Sequence, residues 1–319
     1  MVLSLLVKQR SGIKRAMKKV LLSIICLAMA STSKAQEPEI AVIPRALRVD
    51  VNLVELHVSV MDGAGRPVGG LQQENFKITE NNIDQRITIF KHEDIPVSLG
   101  LVLDNSRSIE PRKARLDAAA LNFVRNSNPD DETFIVHFDF DARLSRPFTH
   151  DKSVLQSDLG NAKPYGQTAL FDGILLALDT MNEASYQKKA LLLVTDGIDN
   201  SSKGTLEKVL ERVKREHVMV FAIGLLSQSG GVEAEAALEK IADVSGGRAY
   251  FPQTPEDARL IMDIIARDIR EQYTLAYLPS NVLRNGAWRS VRVEINPPKG
   301  YPKDLSTNYR HGYYAPEPD

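Results

Sequence analysis

Four continuous apolar runs constrain this chain more than any other feature: VSLGLVLD (97–104), ETFIVHFDF (132–140), KALLLVTD (189–196) and HVMVFAIGL (217–225). A strand covered on both faces loses the period-two alternation of a half-solvated one, and these runs have lost it. Segments with helical character separate them, at 111–126, 169–182, 205–216 and 233–244. Strand alternating with helix implies an α/β fold, a doubly wound, mainly parallel sheet with helices on both faces. In such sheets ligands sit beyond the carboxyl ends of the strands, near the point where strand order reverses. Asp104 and Asp196 each close an apolar run, so the pattern brings both carboxylates to one rim.

Before and after this section period two returns. VNLVELHVSV from Val51, ENFKITENN and QRITIFKHED read as three strands joined by turns, the first turn being DGAGRPVGG. A last helix over 255–270 has Thr254 as N-cap, Pro255 in the first turn, Asp257 at the capping-box position and an apolar stripe of Ala258, Ile261, Met262, Ile265 and Ile269. QYTLAYLPS, SVRVEINPP and YRHGYYAP then follow, with Asn285-Gly286 as a turn. The expected division is a β segment at 47–94, the parallel domain at 95–271, a C-terminal β segment at 272–315 and a tail at 316–319. Two arrangements of the flanks stand open: one small β-sandwich built from both, with the parallel domain inserted, or two unrelated appendages. Tyr273, Tyr277, Tyr309, Tyr313 and Tyr314 are read as packing or edging this region, with a ligand contact as the alternative.

Chemistry concentrates in LVLDNSRSIE. Asp104, Ser106 and Ser108 stand at i, i+2 and i+4 just after a strand, where a turn can fold one carboxylate and two hydroxyls around a small, hard cation. Such oxygen ligands suit Mg²⁺, Mn²⁺ or Ca²⁺ rather than zinc or copper. GQTALFDG, with Thr168, and LLLVTDGIDNSS, with Asp196, are the segments that would complete the site.

Together these motifs resemble the von Willebrand factor A domain and its metal-ion-dependent adhesion site. The layout over 47–315, including ENFKITENN, ITIFKHED and the terminal GYYA, looks like bacterial secreted proteins with VWFA-related domains. The resemblance implies a Rossmann-like fold and a protein-interaction module. It implies that Asp104, Ser106 and Ser108 surround one side of the cation, with Thr168 and Asp196 acting directly or through water. One departure is Arg107, where the family usually has glycine between the two serines. The reading adopted is a solvent-facing side chain; weakened metal affinity and reception of an anionic partner are the alternatives. With only two carboxylates and three hydroxyls the ion keeps electrophilicity, so a partner Asp or Glu is expected to fill an open position. Such a contact would act as a hot spot in a modest interface.

The ends speak to location. Lys8, Arg10, Lys14, Arg15, Lys18 and Lys19 precede VLLSIICLAMA, and Ser33-Lys34-Ala35 offers small residues for cleavage, so 1–35 reads as a secretory signal, with Met17 as a possible start, followed by a linker at 36–46. The apolar run is short for a membrane span, and the mature chain shows no other. Secretion or periplasmic residence follows. Cys26, the single cysteine, lies in the signal after Ile25; an apolar signal residue is the better reading than a lipid-attachment site. Cleavage then leaves no thiol for a disulfide, a zinc site or a nucleophile. Seven of the 40 basic residues and none of the 41 acidic ones fall in 1–35, so the remainder carries eight more acids than bases, which disfavours nucleic acid as a partner.

Other polar residues receive plainer readings. Asp199 and Asn200 are turn and capping residues, His137 and Asp139 a core or edge contact, and Asp172 a favourable charge at a helix start. The leading function is a metal-dependent protein-binding module. Its competitors are a structural subunit of an envelope assembly with no productive metal contact and a metal-dependent hydrolase using Asp141, Asp172 or Asp199 as base. HExxH, GxSxG and Walker signatures are all missing from the chain, which counts against the enzyme.

Overall fold

All four apolar runs form strands of a single sheet. The computed structural model describes residues 53–225 and 231–318; the expected signal, linker and Cys26 lie outside the described residues. The opening strands are β1 (Val54–Met61), β2 (Phe76–Glu80), β3 (Ile83–Gln85) and β4 (Ile87–Lys91). Next come β5 (Ser98–Asp104), β6 (Glu132–Phe138), β7 (Ala142–Thr149), β8 (Lys189–Thr195), β9 (Met219–Gly224) and the short β10 (Ala249–Tyr250). Among the described residues six helices accompany them: α1 (Lys113–Arg125), α2 (Lys152–Asn161), α3 (Leu170–Thr180), α4 (Leu206–Arg215), α5 (Gly231–Ser245) and α6 (Pro255–Arg270). The closing strands are β11 (Tyr273–Tyr277), β12 (Trp288–Ile295), β13 (Ser306–Asn308) and β14 (Gly312–Tyr314).

The large sheet has the order β10-β9-β8-β5-β6-β7, parallel throughout except for β7. Side chains alternate across it. Leu99, Leu101, Leu103, Ile135, Leu192 and Phe221 pack under α1, α2 and α6. Val102, Phe134, Val136, Leu191, Leu193 and Val220 pack under α3, α4 and α5. Each fully buried side chain of this size contributes about 2 kcal/mol, which is why the strands show no polar alternation. Gly100 makes room in the middle: a Cβ there would lie 2.3 Å from the Phe134 ring and 2.4 Å from Leu191. From β5 the chain passes first to β6 and β7, then returns to place β8 on the other flank of β5. The strand order therefore reverses at β5, beside β8.

Helix ends follow local chemistry. Thr205 Oγ1 accepts the Lys208 N–H at 3.3 Å, and Thr254 Oγ1 accepts that of Asp257 at 3.1 Å, each satisfying an orphan donor. The elements beyond the sequence expectation are the antiparallel edge strand β7, the helix α2 and the short strands β3, β10 and β13. β7 alternates only partly buried with exposed residues, and α2 buries just Leu155 and Leu159, so neither carries a strong apolar period.

The flanking strands form two antiparallel sheets, β13-β1-β11-β4 and β14-β12-β2-β3. Strands from before and after the parallel sheet thus pair with one another, as in Leu56 opposite Leu275 and Ile78 opposite Val293. One apolar core joins both sheets and includes Leu56, Val58, Ile78, Tyr273, Leu275 and Val293. Within it lies a buried carboxylate. Glu80 accepts the Tyr277 hydroxyl at 2.9 Å, the Tyr313 hydroxyl at 2.8 Å and Arg289 Nη1 at 3.4 Å. Burial, then the bond to Glu80, raises both phenols above their ordinary range. Arg289 also donates to the Asn281 and Leu283 carbonyls, so a single ionic cluster ties β2, β11, β12 and β14.

Two predictions follow from this packing. Glu80→Ala leaves the buried Arg289 guanidinium without its counter-charge and is expected to cost about 3 kcal/mol in urea denaturation; a loss within experimental error would contradict the assigned network. The second concerns acid. Burial holds His57 down at about 3 and His137 at about 4, and both ring nitrogens of His137 lack a partner. The unfolded chain takes up these protons near pH 6.5 while the folded one refuses them, so their contribution to stability is present at pH 7 and falls as pH drops toward 4. The loss is on the order of 2–3 kcal/mol per ring. Unfolding midpoints from pH 7.5 to 4.5 should fall less steeply in His137→Gln than in wild type; parallel slopes would refute the assignment.

Candidate metal centre

Asp104 is the last residue of β5, and Asp196 directly follows β8, its parallel neighbour. Their carboxylates emerge at the same edge of the sheet. The chain leaves β5 through Asn105 and Ser106 into a short 3₁₀ turn, Arg107–Ile109. Asp104 Oδ1 accepts the Ser106 backbone N–H at 2.8 Å, the Asx-type contact that folds the triplet back on itself. Arg107 is exposed and its backbone is ordinary, since Asn81 and Asn82 are the only described non-glycine residues with positive φ. A glycine is therefore not required there.

Thr168 arrives from the loop between α2 and α3. Its backbone N–H donates to Asn200 Oδ1 at 2.9 Å and its carbonyl accepts the Asn200 N–H at 3.0 Å. Asp199 Oδ1 accepts the Phe171 N–H at 3.2 Å, so Asp199 caps the start of α3 from across the rim. Asp172 accepts the N–H groups of Lys203 and Gly204 at 2.9 and 2.8 Å. Gly197 leaves space for the threonine, because a Cβ there would come within 3.3 Å of Thr168 Oγ1. Three loops thus bring all five sequence-expected residues together.

A chain of polar contacts runs through the cluster. Thr195 Oγ1 donates to Asp104 Oδ2 at 2.6 Å. Ser106 Oγ and Ser108 Oγ are 2.9 Å apart, and Ser108 Oγ donates to Asp196 Oδ1 at 2.7 Å. Arg112 Nη1 donates to Asp196 Oδ2 at 2.8 Å. Asp104 and Thr168 are buried, the Asp196 side chain is 2% exposed, and Ser108 reaches solvent. Burial pushes the carboxyl groups of Asp104 and Asp196 above their ordinary range; the Thr195 and Ser106 contacts oppose this at Asp104, and Ser108 and Arg112 at Asp196. Two desolvated carboxylates at one rim are a place where positive charge is favourable.

The donor set fits a small dication. Adjacent ligands of an octahedral cation bound at about 2.0–2.1 Å stand roughly 2.8–3.0 Å apart. The Ser106–Ser108 oxygen separation, 2.9 Å, equals such an edge, and the Ser108–Asp196 separation, 2.7 Å, is a hydrogen-bond length slightly shorter than one. Hydroxyl protons that now serve these bonds can rotate outward when the oxygens become ligands. Among the described residues no group of three or more His, Cys, Asp or Glu side chains is placed to hold a metal, so a cation site here must draw on hydroxyls.

The remaining candidates stand apart from this rim cluster, and of them Asp139 has a firm structural partner. Asp139 binds Arg143 through both carboxylate oxygens, and its carbonyl accepts the Ala169 N–H at 2.7 Å. His137 is buried in β6, and Asp141 is exposed in the turn after it. Sequence reasoning missed Thr195 and Arg112. Thr195 carried a faint signal, as a hydroxyl beside Asp196 at a strand end; Arg112 carried none, because its partner lies 84 residues away.

The von Willebrand factor type A domain family matches residues 99–265, just over half of the chain. A search of curated proteins by sequence gives no match. Among solved structures, the PilB minor pilin from Streptococcus sanguinis is 13% identical, with a TM-score of 0.47, covering 57% of this chain and 62% of that one. The chain therefore spans about three fifths of that pilin's length. The vWF domain of the type V pili tip protein Mfa5 from Porphyromonas gingivalis is 14% identical, with a TM-score of 0.45, covering 55% of this chain and 95% of that one. Proximal thread matrix protein 1 from the mussel byssus, solved with a zinc-occupied MIDAS motif, is 18% identical, with a TM-score of 0.47, covering 60% and 49%. With a parallel sheet, a hydroxyl-rich rim and the sequence match in agreement, this chain belongs to the von Willebrand factor type A domain family.

Proposed function

We propose that this protein is a metal-dependent protein-binding module working outside the cytoplasm, in the periplasm or beyond. The observation that supports the reading is the run of contacts from Ser106 through Ser108 to Asp196 at the sheet's switch point, with Asp104 bonded to the Ser106 backbone and Thr168 beside Gly197. Asp104, Ser106 and Ser108 would hold one side of an Mg²⁺, Mn²⁺ or Ca²⁺ ion, with Thr168 and Asp196 completing it directly or through water. Two carboxylates leave the ion electrophilic, so it would take an Asp or Glu side chain from a partner protein as a further ligand. Thr195 holds Asp104 in place and would act as an outer support of the site. Export is supported by the basic and apolar pattern at the N-terminus; N-terminal sequencing of the exported protein should begin near Gln36. Among the described residues no helix is long and apolar enough to cross a membrane.

A second reading has its own observation. The Arg112–Asp196 ion pair supplies a positive charge from within the chain, which suits a structural subunit whose rim needs no metal.

Titration decides between them. Calorimetry with Mn²⁺ at neutral pH should show one saturable site, abolished in Asp104→Ala and weakened roughly tenfold in Thr195→Val. A peptide array probed with the Mn²⁺-loaded protein should retain sequences containing Asp or Glu, with retention lost on chelation. Retention that ignores both chelator and Asp104→Ala would leave the structural reading in possession.

A further inference from the structure

Arg112 belongs to none of the expected ligands, yet it touches one of them directly. It stands immediately before α1, with no capping bond from its side chain, and its guanidinium crosses the rim to Asp196 Oδ2 at 2.8 Å. Asp196 Oδ1 is already taken by Ser108, so both carboxylate oxygens have partners. The two ends of the contact are unequal. The Asp196 side chain is 2% exposed and fixed at a strand end, whereas that of Arg112 is 39% exposed and can swing into water. The neighbouring Lys113 pairs with Asp117 at 3.0 Å, which leaves Arg112 as the cation bonded to Asp196.

We infer that Arg112 is a built-in counter-ion that competes with the divalent cation for Asp196 and so sets the metal concentration at which the site loads. This rests on the metal-dependent reading above and adds its regulation. A dication entering beside Asp196 meets the fixed positive charge of the guanidinium, and it gains the full carboxylate only when Arg112 lets go. Only displacement of the guanidinium from the carboxylate relieves the competition. The pair neutralises a buried carboxylate in the metal-free protein, so the chain holds its rim together before metal arrives and gives up that contact on loading.

The test compares Arg112→Gln, which removes the charge, with Arg112→Lys, which keeps it. Mn²⁺ is titrated calorimetrically into each variant, the wild type and Asp104→Ala, and melting is followed with and without Mn²⁺. Arg112→Gln should bind Mn²⁺ about tenfold more tightly than wild type, while Arg112→Lys stays near the wild-type value. Arg112→Gln should also melt below wild type without metal and recover when Mn²⁺ is added. Mn²⁺ affinity that is unchanged or weaker in Arg112→Gln overturns the inference and leaves the metal site standing, since the contact is then only an ion pair. Binding that appears in Arg112→Gln alone, and disappears on adding Asp104→Ala, supports it in its strongest form. No binding in wild type or in Arg112→Gln overturns both this inference and the metal reading.

Discussion

The candidate site depends on the parallel register between β5 and β8. Leu103 lies opposite Val194, which sets Asp104 level with Thr195 and lets the threonine hydroxyl reach the Asp104 carboxylate. A slip of one residue would turn every side chain of one strand to the other face of the sheet. Both faces are apolar, so side-chain size rather than alternation resists that slip: the Cβ of any side chain brought to the place of Gly100 would lie 2.3 Å from the Phe134 ring and 2.4 Å from Leu191. Hydrophobic packing thereby fixes, to within one side chain, where two carboxylates emerge. The reversal of strand order at β5 then opens the rim for the Thr168 loop to enter.

Holding two acids at this rim is unfavourable, and the local structure answers the cost with oriented partners. Asp104 receives a backbone N–H and the Thr195 hydroxyl, and Asp196 receives the Ser108 hydroxyl and Arg112. Burial nevertheless keeps both carboxyl groups above their usual range. Arg112 meets part of this demand for positive charge at Asp196, and the hydroxyl-lined rim beside Asp104 is the physical basis for proposing a cation there. The β region adds a different kind of constraint: its strands come from both ends of the described chain and meet around Glu80, so α6 runs directly into a fixed sandwich strand at Tyr273.

Much of this was legible in the residues themselves. The four apolar runs revealed the parallel sheet because burial on both faces erases alternation, and the helix over 255–270 was visible because Thr254, Pro255 and its apolar stripe agree. Asp104 and Asp196 could be placed at strand ends for the same reason. Other parts were hidden for physical causes. β7 is an edge strand with half-solvated residues, and α2 buries only two leucines, so neither leaves a periodic mark. Asp199 and Asn200 were read as capping and turn residues without a target; they serve Phe171 and Thr168, about 30 positions away, and that pairing is a product of tertiary structure. The Arg112 contact belongs to the same class, since a long flexible side chain can find its partner only once the rim has formed.

The most direct measurement is anomalous diffraction from crystals of the protein grown with Mn²⁺. The account predicts a single strong peak bounded by Asp104, Ser106, Ser108, Thr168 and Asp196, with the serine hydroxyls about 2.2 Å from the ion and the Arg112 guanidinium moved away from Asp196. A rim without a peak at saturating Mn²⁺, or a peak at carboxylates elsewhere on the surface, would contradict it.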